Sequence, residues 1–82
     1  MNLYLTKTFQ KRFSKLPKPI QNKIEAALKE IYLDPYSGKR LLGELEGEFS
    51  FRVGTYRIIC CIDEQDNIWI ETVRHRRNAY RR

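Results

Sequence analysis

Residues 48–62 read EFSFRVGTYRIICCI, and their alternation decides the fold. Phe49, Phe51 and Val53 alternate with Glu48, Ser50 and Arg52, the period of a strand with one face toward a core. Gly54-Thr55 follows, a two-residue turn with glycine first, which suits a type II′ hairpin. Tyr56 to Ile62 form the return strand. With Gly54 and Thr55 as the loop, Val53 faces Tyr56, Arg52 faces Arg57, Phe51 faces Ile58 and Phe49 faces Cys60. Phe49, Phe51, Ile58 and Cys60 then share the face that helices should cover, and Arg52 and Arg57 share the other. Like charges directly opposite each other destabilise a sheet. A bound anion would account for the pair, because guanidinium groups fork onto phosphate oxygens. The plainer alternative is that both side chains splay into water, or that Glu71 neutralises Arg57 from the next strand.

Downstream, Asp63 to Asn67 form a polar loop and Ile68 to Val73 a third strand. Placing Ile62 opposite Ile68 predicts Val73 beside Arg57, with His75 on the arginine face. The chain ends RHRRNAYRR, residues 74–82: five arginines, the single histidine, one tyrosine and no acid. Arg52, Arg57, His75, Arg76 and Tyr80 would together make a basic concavity with one titratable imidazole and one stackable ring. Guanidinium for phosphate and an aromatic ring for an unstacked base is a combination that suits RNA.

Upstream, Leu3-Tyr4-Leu5 is a short strand, and Thr6 or Thr8 can cap a helix after it. Phe9, Phe13 and Leu16 mark one face of that helix. Pro17 and Pro19 break it and open a second, whose stripe is Ile20, Ile24, Ala27, Leu28 and Ile31. Asp34-Pro35-Tyr36-Ser37-Gly38 stops the second helix. Six lysines or arginines and no acid precede Glu25, giving these helices a basic solvent face, which is ordinary for exposed helix positions. The layout is β-α-α-β-β-β, an α+β fold with two N-terminal helices on one face of an antiparallel sheet and a short basic tail.

Eighty-two residues read as one domain, 1–82. A chain this size buries only about 60–65% of its unfolded surface, so one modest core is expected. Hydrophobic content of 41% and aromatic content of 12% argue against disorder. A net charge of +6, from 16 basic and 10 acidic residues, points to nucleic acid, ribosome, acidic protein or anionic membrane as partner. No apolar run approaches the ~20 residues that span a bilayer. The start, MNLYLTKTFQ, has neither the basic region nor the apolar stretch of a signal peptide. Cys60 and Cys61 are neighbours that would point to opposite faces of a strand, matching neither a metal motif nor a disulfide framework. A reduced cytoplasm is the expected compartment.

GELEGEFSFRVGTYRIICCIDE, residues 43–64, followed by RHRRNAY, residues 74–80, resembles the RelE/ParE superfamily of toxins from type II toxin–antitoxin pairs. The likeness covers nearly the whole chain. Its most specific part is Arg-Val-Gly-x-Tyr-Arg-Ile-Ile, residues 52–59, one strand and a loop before a terminal basic segment. The resemblance implies a RelE-type endoribonuclease that enters the ribosomal A site and cuts mRNA there. In such toxins the ribose 2′-hydroxyl attacks the adjacent phosphate, without metal or other cofactor, while basic side chains stabilise the charged transition state.

Residue by residue, Arg57 matches the family arginine closing the Gly-x-Tyr-Arg motif and Arg76 the arginine after the last strand. Tyr80 matches the C-terminal tyrosine that stacks on a base or assists proton transfer, and Arg52 a basic position in its strand. Arg74, Arg77 and Arg81 add phosphate-binding charge. Two departures stand out. Bacterial RelE toxins carry two lysines where this chain has Glu48 and Ser50, and the interval from Arg76 to Tyr80 is shorter by two. Acid–base work then falls to His75, since imidazole titrates in the neutral range. The alternative within the superfamily is a ParE-like toxin that binds DNA gyrase and cuts no RNA. Either kind implies a cognate antitoxin, RelB-like or similar, whose acidic amphipathic segment folds over the basic surface. The first kind also implies ribosome and mRNA as partners, and neither implies a membrane.

Overall fold

The structure, a computed structural model, describes residues 2–40 and 47–75. Along the chain lie β1 (Leu3–Leu5), α1 (Lys7–Ser14), α2 (Lys18–Leu33), a 3-10 turn (Pro35–Ser37), β2 (Lys39–Arg40), β3 (Glu48–Val53), β4 (Tyr56–Ile62) and β5 (Ile68–His75).

Thr6 starts α1: its backbone is extended, and its hydroxyl accepts the Phe9 N–H at 3.1 Å. Lys11 and Arg12 occupy the last turn, where the negative end of the helix dipole favours cations. Pro17 caps α2 and Pro19 lies in its first turn, where a missing N–H costs nothing. Asp34 ends it because the residue before proline is pushed out of the helical region.

The sheet order is β1-β5-β4-β3-β2. The β3–β4 hairpin has the expected register, Val53 to Tyr56 and Arg52 to Arg57, and Gly54 turns it at φ 60°. Two expectations need correction. First, the sheet is mixed, because β1 pairs with β5 in parallel, Leu3 to Ile68 and Leu5 to Ile70. Nothing local dictates an antiparallel return here, since the helices carry the chain away before a hairpin can form. Thr6 instead fixes the direction, donating its N–H to the Ile70 carbonyl (3.2 Å) and its hydroxyl to that of Glu71 (2.7 Å).

Second, the β4–β5 ladder changes register midway. Ile62 pairs with Ile68 and Cys60 with Ile70, but Ile59 pairs with Thr72 and Ile58 with Val73. Glu71 is the extra residue of a β-bulge. Beyond it, Arg74 and not Val73 lies opposite Arg57, and His75 lies opposite Tyr56.

The helices cover one face of the sheet. Phe9, Ile24 and Ile31 meet Phe49, Ile58, Cys60, Ile68, Ile70 and Val73 in one buried cluster. Each large apolar side chain fully buried there contributes about 1.5–3 kcal/mol against leaving it exposed. Tyr4 packs on Trp69 with ring centroids 4.7 Å apart, and the Trp69 indole donates to Asp63 at 2.9 Å. Among the described residues no helix is long and apolar enough to cross a membrane.

Candidate functional site

Pleat and register place Arg52, Arg57 and Arg74 on the sheet face away from the helices, one on each of three adjacent strands. Directly paired residues in an antiparallel ladder have Cα atoms only about 4.5–5.5 Å apart. Arg52 is exposed, while Arg57 and Arg74 are half-buried. The sequence leads to the pair Arg52–Arg57, and the bulge extends it to a row of three. Glu48 and Ser50 lie on the same face, opposite Cys61 and Ile59. The Glu71 carboxylate accepts from the Cys61 thiol at 3.1 Å. Burial first, then that carboxylate, pushes the Cys61 thiol up to about 12. Burial also pushes Cys60 up to about 12, with neighbouring Cys61 next in effect. Both thiols are therefore protonated at neutral pH and poor nucleophiles.

His75 is not on the arginine face. Past the bulge it pairs with Tyr56 on the helix side, ring centroids 5.5 Å apart and nearly perpendicular. There it helps line a cleft of about 420 Å³ with Arg12, Lys15, Tyr56, Val73 and Arg74. Arg76, Arg77, Tyr80 and Arg81 lie outside the described residues.

Sequence reasoning missed Arg12, Lys15 and Tyr56 as neighbours of His75. It also missed the bulge, although the apolar positions Ile68, Ile70 and Val73 carry the signal: the spacing goes from two to three. A strand that keeps one face buried while its period slips has an extra residue at the slip.

Two helices on one face of a small mixed sheet, with a row of arginines on the other, define an α+β protein of the toxin class. Residues 3–80 match the family described as ParE toxin of type II toxin-antitoxin system, parDE, and the chain belongs to that family. It is 40% identical over 80 residues to Toxin RelG of Mycobacterium tuberculosis (strain ATCC 25618 / H37Rv), covering 94% of this chain and 92% of the relative. In structure it is similar to a chain of the toxin–antitoxin complex RelBE2 from Mycobacterium tuberculosis, with a TM-score of 0.81 and 36% identity over 92% of this chain and 96% of that one. The fold also recurs in the intact Escherichia coli RelBE complex, with a TM-score of 0.75 and 15% identity over 88% of this chain and 92% of that one. The protein is thus a RelE-like toxin of a type II toxin–antitoxin system.

Proposed function

We propose that the protein is a ribosome-dependent endoribonuclease that cuts mRNA in the A site. The observation that carries this reading is the row Arg52–Arg57–Arg74, which gathers three guanidinium groups on one sheet face. In the proposed reaction the ribose 2′-oxygen bonds to the adjacent phosphorus and the bond to the 5′-oxygen breaks. The products are a 2′,3′-cyclic phosphate and a free 5′-hydroxyl. Arg57 and Arg74 neutralise the charge that develops on the phosphate oxygens, and Arg52 holds a neighbouring phosphate. Arg76 shares in neutralising that charge, and Arg77 and Arg81 extend the backbone contacts. Tyr80 stacks on a base or assists proton transfer, as the family likeness suggests. His75 is not given that role, because the bulge turns it to the opposite face. A cognate RelB-like antitoxin would silence the site by covering it.

The family description and the residues Glu48 and Ser50, where RelE toxins carry lysines, favour the second reading, a ParE-like toxin directed at DNA gyrase. Purified protein in a defined translation system separates the two. Codon-periodic mRNA cuts, read by primer extension, are expected; inhibited gyrase supercoiling with intact mRNA would replace the nuclease reading with the second.

A further inference from the structure

The helix-side cleft is absorbed by neither reading. Arg12 and Lys15 are exposed and three residues apart in and just beyond the last turn of α1, so both project along one side of the helix. Across from them stand Tyr56 and His75, whose rings meet edge to face. Leu16 and Val73 supply apolar lining, and the described lining holds no carboxylate. About 420 Å³ falls within the range of pockets that take small ligands. An adjoining hollow is lined by Thr8, Lys11 and again Arg12 and Lys15, so the positive surface continues along α1.

We propose that this cleft is a nucleotide subsite for single-stranded RNA, in which Arg12 and Lys15 hold a phosphate while the Tyr56–His75 edge packs against its unstacked base. Cations alone would accept any anion. Paired rings beside them add a surface for a base, the combination by which single strands are bound without duplex structure. The position of Arg74 links the cleft to the arginine row. It pairs with Arg57 in the ladder and also lines the cleft, while the next residue, His75, lies wholly on the cleft side. One RNA strand passing round the end of β5 would lay a phosphate on the row and a neighbouring nucleotide in the cleft. The inference rests on the RNA reading above but is tested apart from it.

His75 is the single histidine, so its ring C–H signals in an NMR spectrum report on the cleft unambiguously. Adenosine 5′-monophosphate titrated into the free protein should shift those signals saturably. Arg12→Ala combined with Lys15→Ala should weaken that binding by about tenfold or more, the usual scale for lost charge-assisted contacts. Both positions are exposed, so the fold should hold, and Lys29→Ala on α2 should leave the titration unchanged. No shift with the nucleotide, equal binding to the double variant, or inorganic phosphate binding as tightly as the nucleotide would each overturn the proposal. Nucleotide binding without mRNA cleavage would uphold the cleft and remove the nuclease reading; cleavage without nucleotide binding would do the reverse.

Discussion

Arg57 and Arg74 lie directly opposite each other in the β4–β5 ladder, and they do so because Glu71 is one residue too many. Without the bulge, Val73 would occupy that place and the arginine row would stop at two. Directly opposed like charges destabilise a sheet by a few tenths of a kcal/mol, so placing these two guanidinium groups opposite each other adds nothing to stability. Arg57→Ala and Arg74→Ala are each expected to keep the melting temperature within a few degrees. Each should lower the cleavage rate by about 10²–10³, the cost of losing one transition-state donor, and relieve growth arrest in cells lacking antitoxin. A large fall in melting temperature with toxicity intact would show these arginines to be structural.

Thr6 joins the bulge to the helices. Its hydroxyl donates to the Glu71 carbonyl at 2.7 Å and accepts from the Phe9 N–H at 3.1 Å. Thr6→Ala removes an N-cap and leaves a bulge carbonyl short of a donor, for a loss of about 1–2 kcal/mol. For a domain of this size that is a fall of roughly 4–16 °C, measurable by circular dichroism. Thr6→Ser keeps the oxygen and should recover most of it.

What the sequence made legible follows from where local rules decide the outcome. The hairpin register came out as read because Gly54-Thr55 and the alternation of Phe49, Phe51 and Val53 constrain it independently. Both helices follow from their stripes and from Thr6, Pro17 and Pro35. The direction of β1 was not legible, since a three-residue edge strand has no local partner and takes its direction from long-range bonds such as Thr6 to Ile70. The side of the sheet that His75 occupies depended on a single inserted residue, and a one-residue slip reverses every side chain beyond it. The cleft was hidden for a different reason: Arg12 and Tyr56 are 44 positions apart and meet only through tertiary packing.

The two thiols should be inert while the protein is folded. With Cys61 pushed up to about 12, alkylation by iodoacetamide at pH 8 should be slow in the native state and fast after denaturation. The folded state then holds protons that an unfolded chain, with thiols near 9.0, releases. This contribution to stability is fully present below about pH 9 and declines as pH rises toward 12. Glu71→Gln removes the negative charge beside Cys61, so it should speed alkylation of that thiol and soften the alkaline decline. Unchanged kinetics would mean that burial, Glu48 and Asp63, and not Glu71, control Cys61.

Gly38 sits where a side chain has no room. A Cβ there would lie 2.6 Å from two carbons of the Phe51 ring. Gly38→Ala must displace that ring from its place against the core, at about 1–3 kcal/mol. Urea unfolding should show a lower midpoint with an unchanged slope. Phe51→Leu in the same chain frees the space and should recover part of the loss, a non-additivity expected only of touching residues.

His75 and Arg74 are neighbours in sequence on opposite faces of the sheet, so their loss should have different kinetic signatures. If His75 were the acid–base group, His75→Ala would lower the single-turnover cleavage rate at saturating toxin and erase a pH inflection in the neutral range. Its place against Tyr56 on the helix side predicts otherwise. His75→Ala should raise the toxin concentration needed for half-maximal cleavage and leave the saturated rate and its pH profile largely intact. Arg74→Ala should do the opposite, lowering the saturated rate by about 10²–10³ with a smaller effect on half-saturation. The measurement is primer extension on programmed ribosomes, over a range of toxin concentrations at several pH values. A saturated rate that collapses for His75→Ala would return the imidazole to the reaction and mean that the chain end rearranges on the ribosome. Intact mRNA with every variant, together with gyrase-linked DNA breaks from the unmodified protein, would remove the nuclease reading altogether.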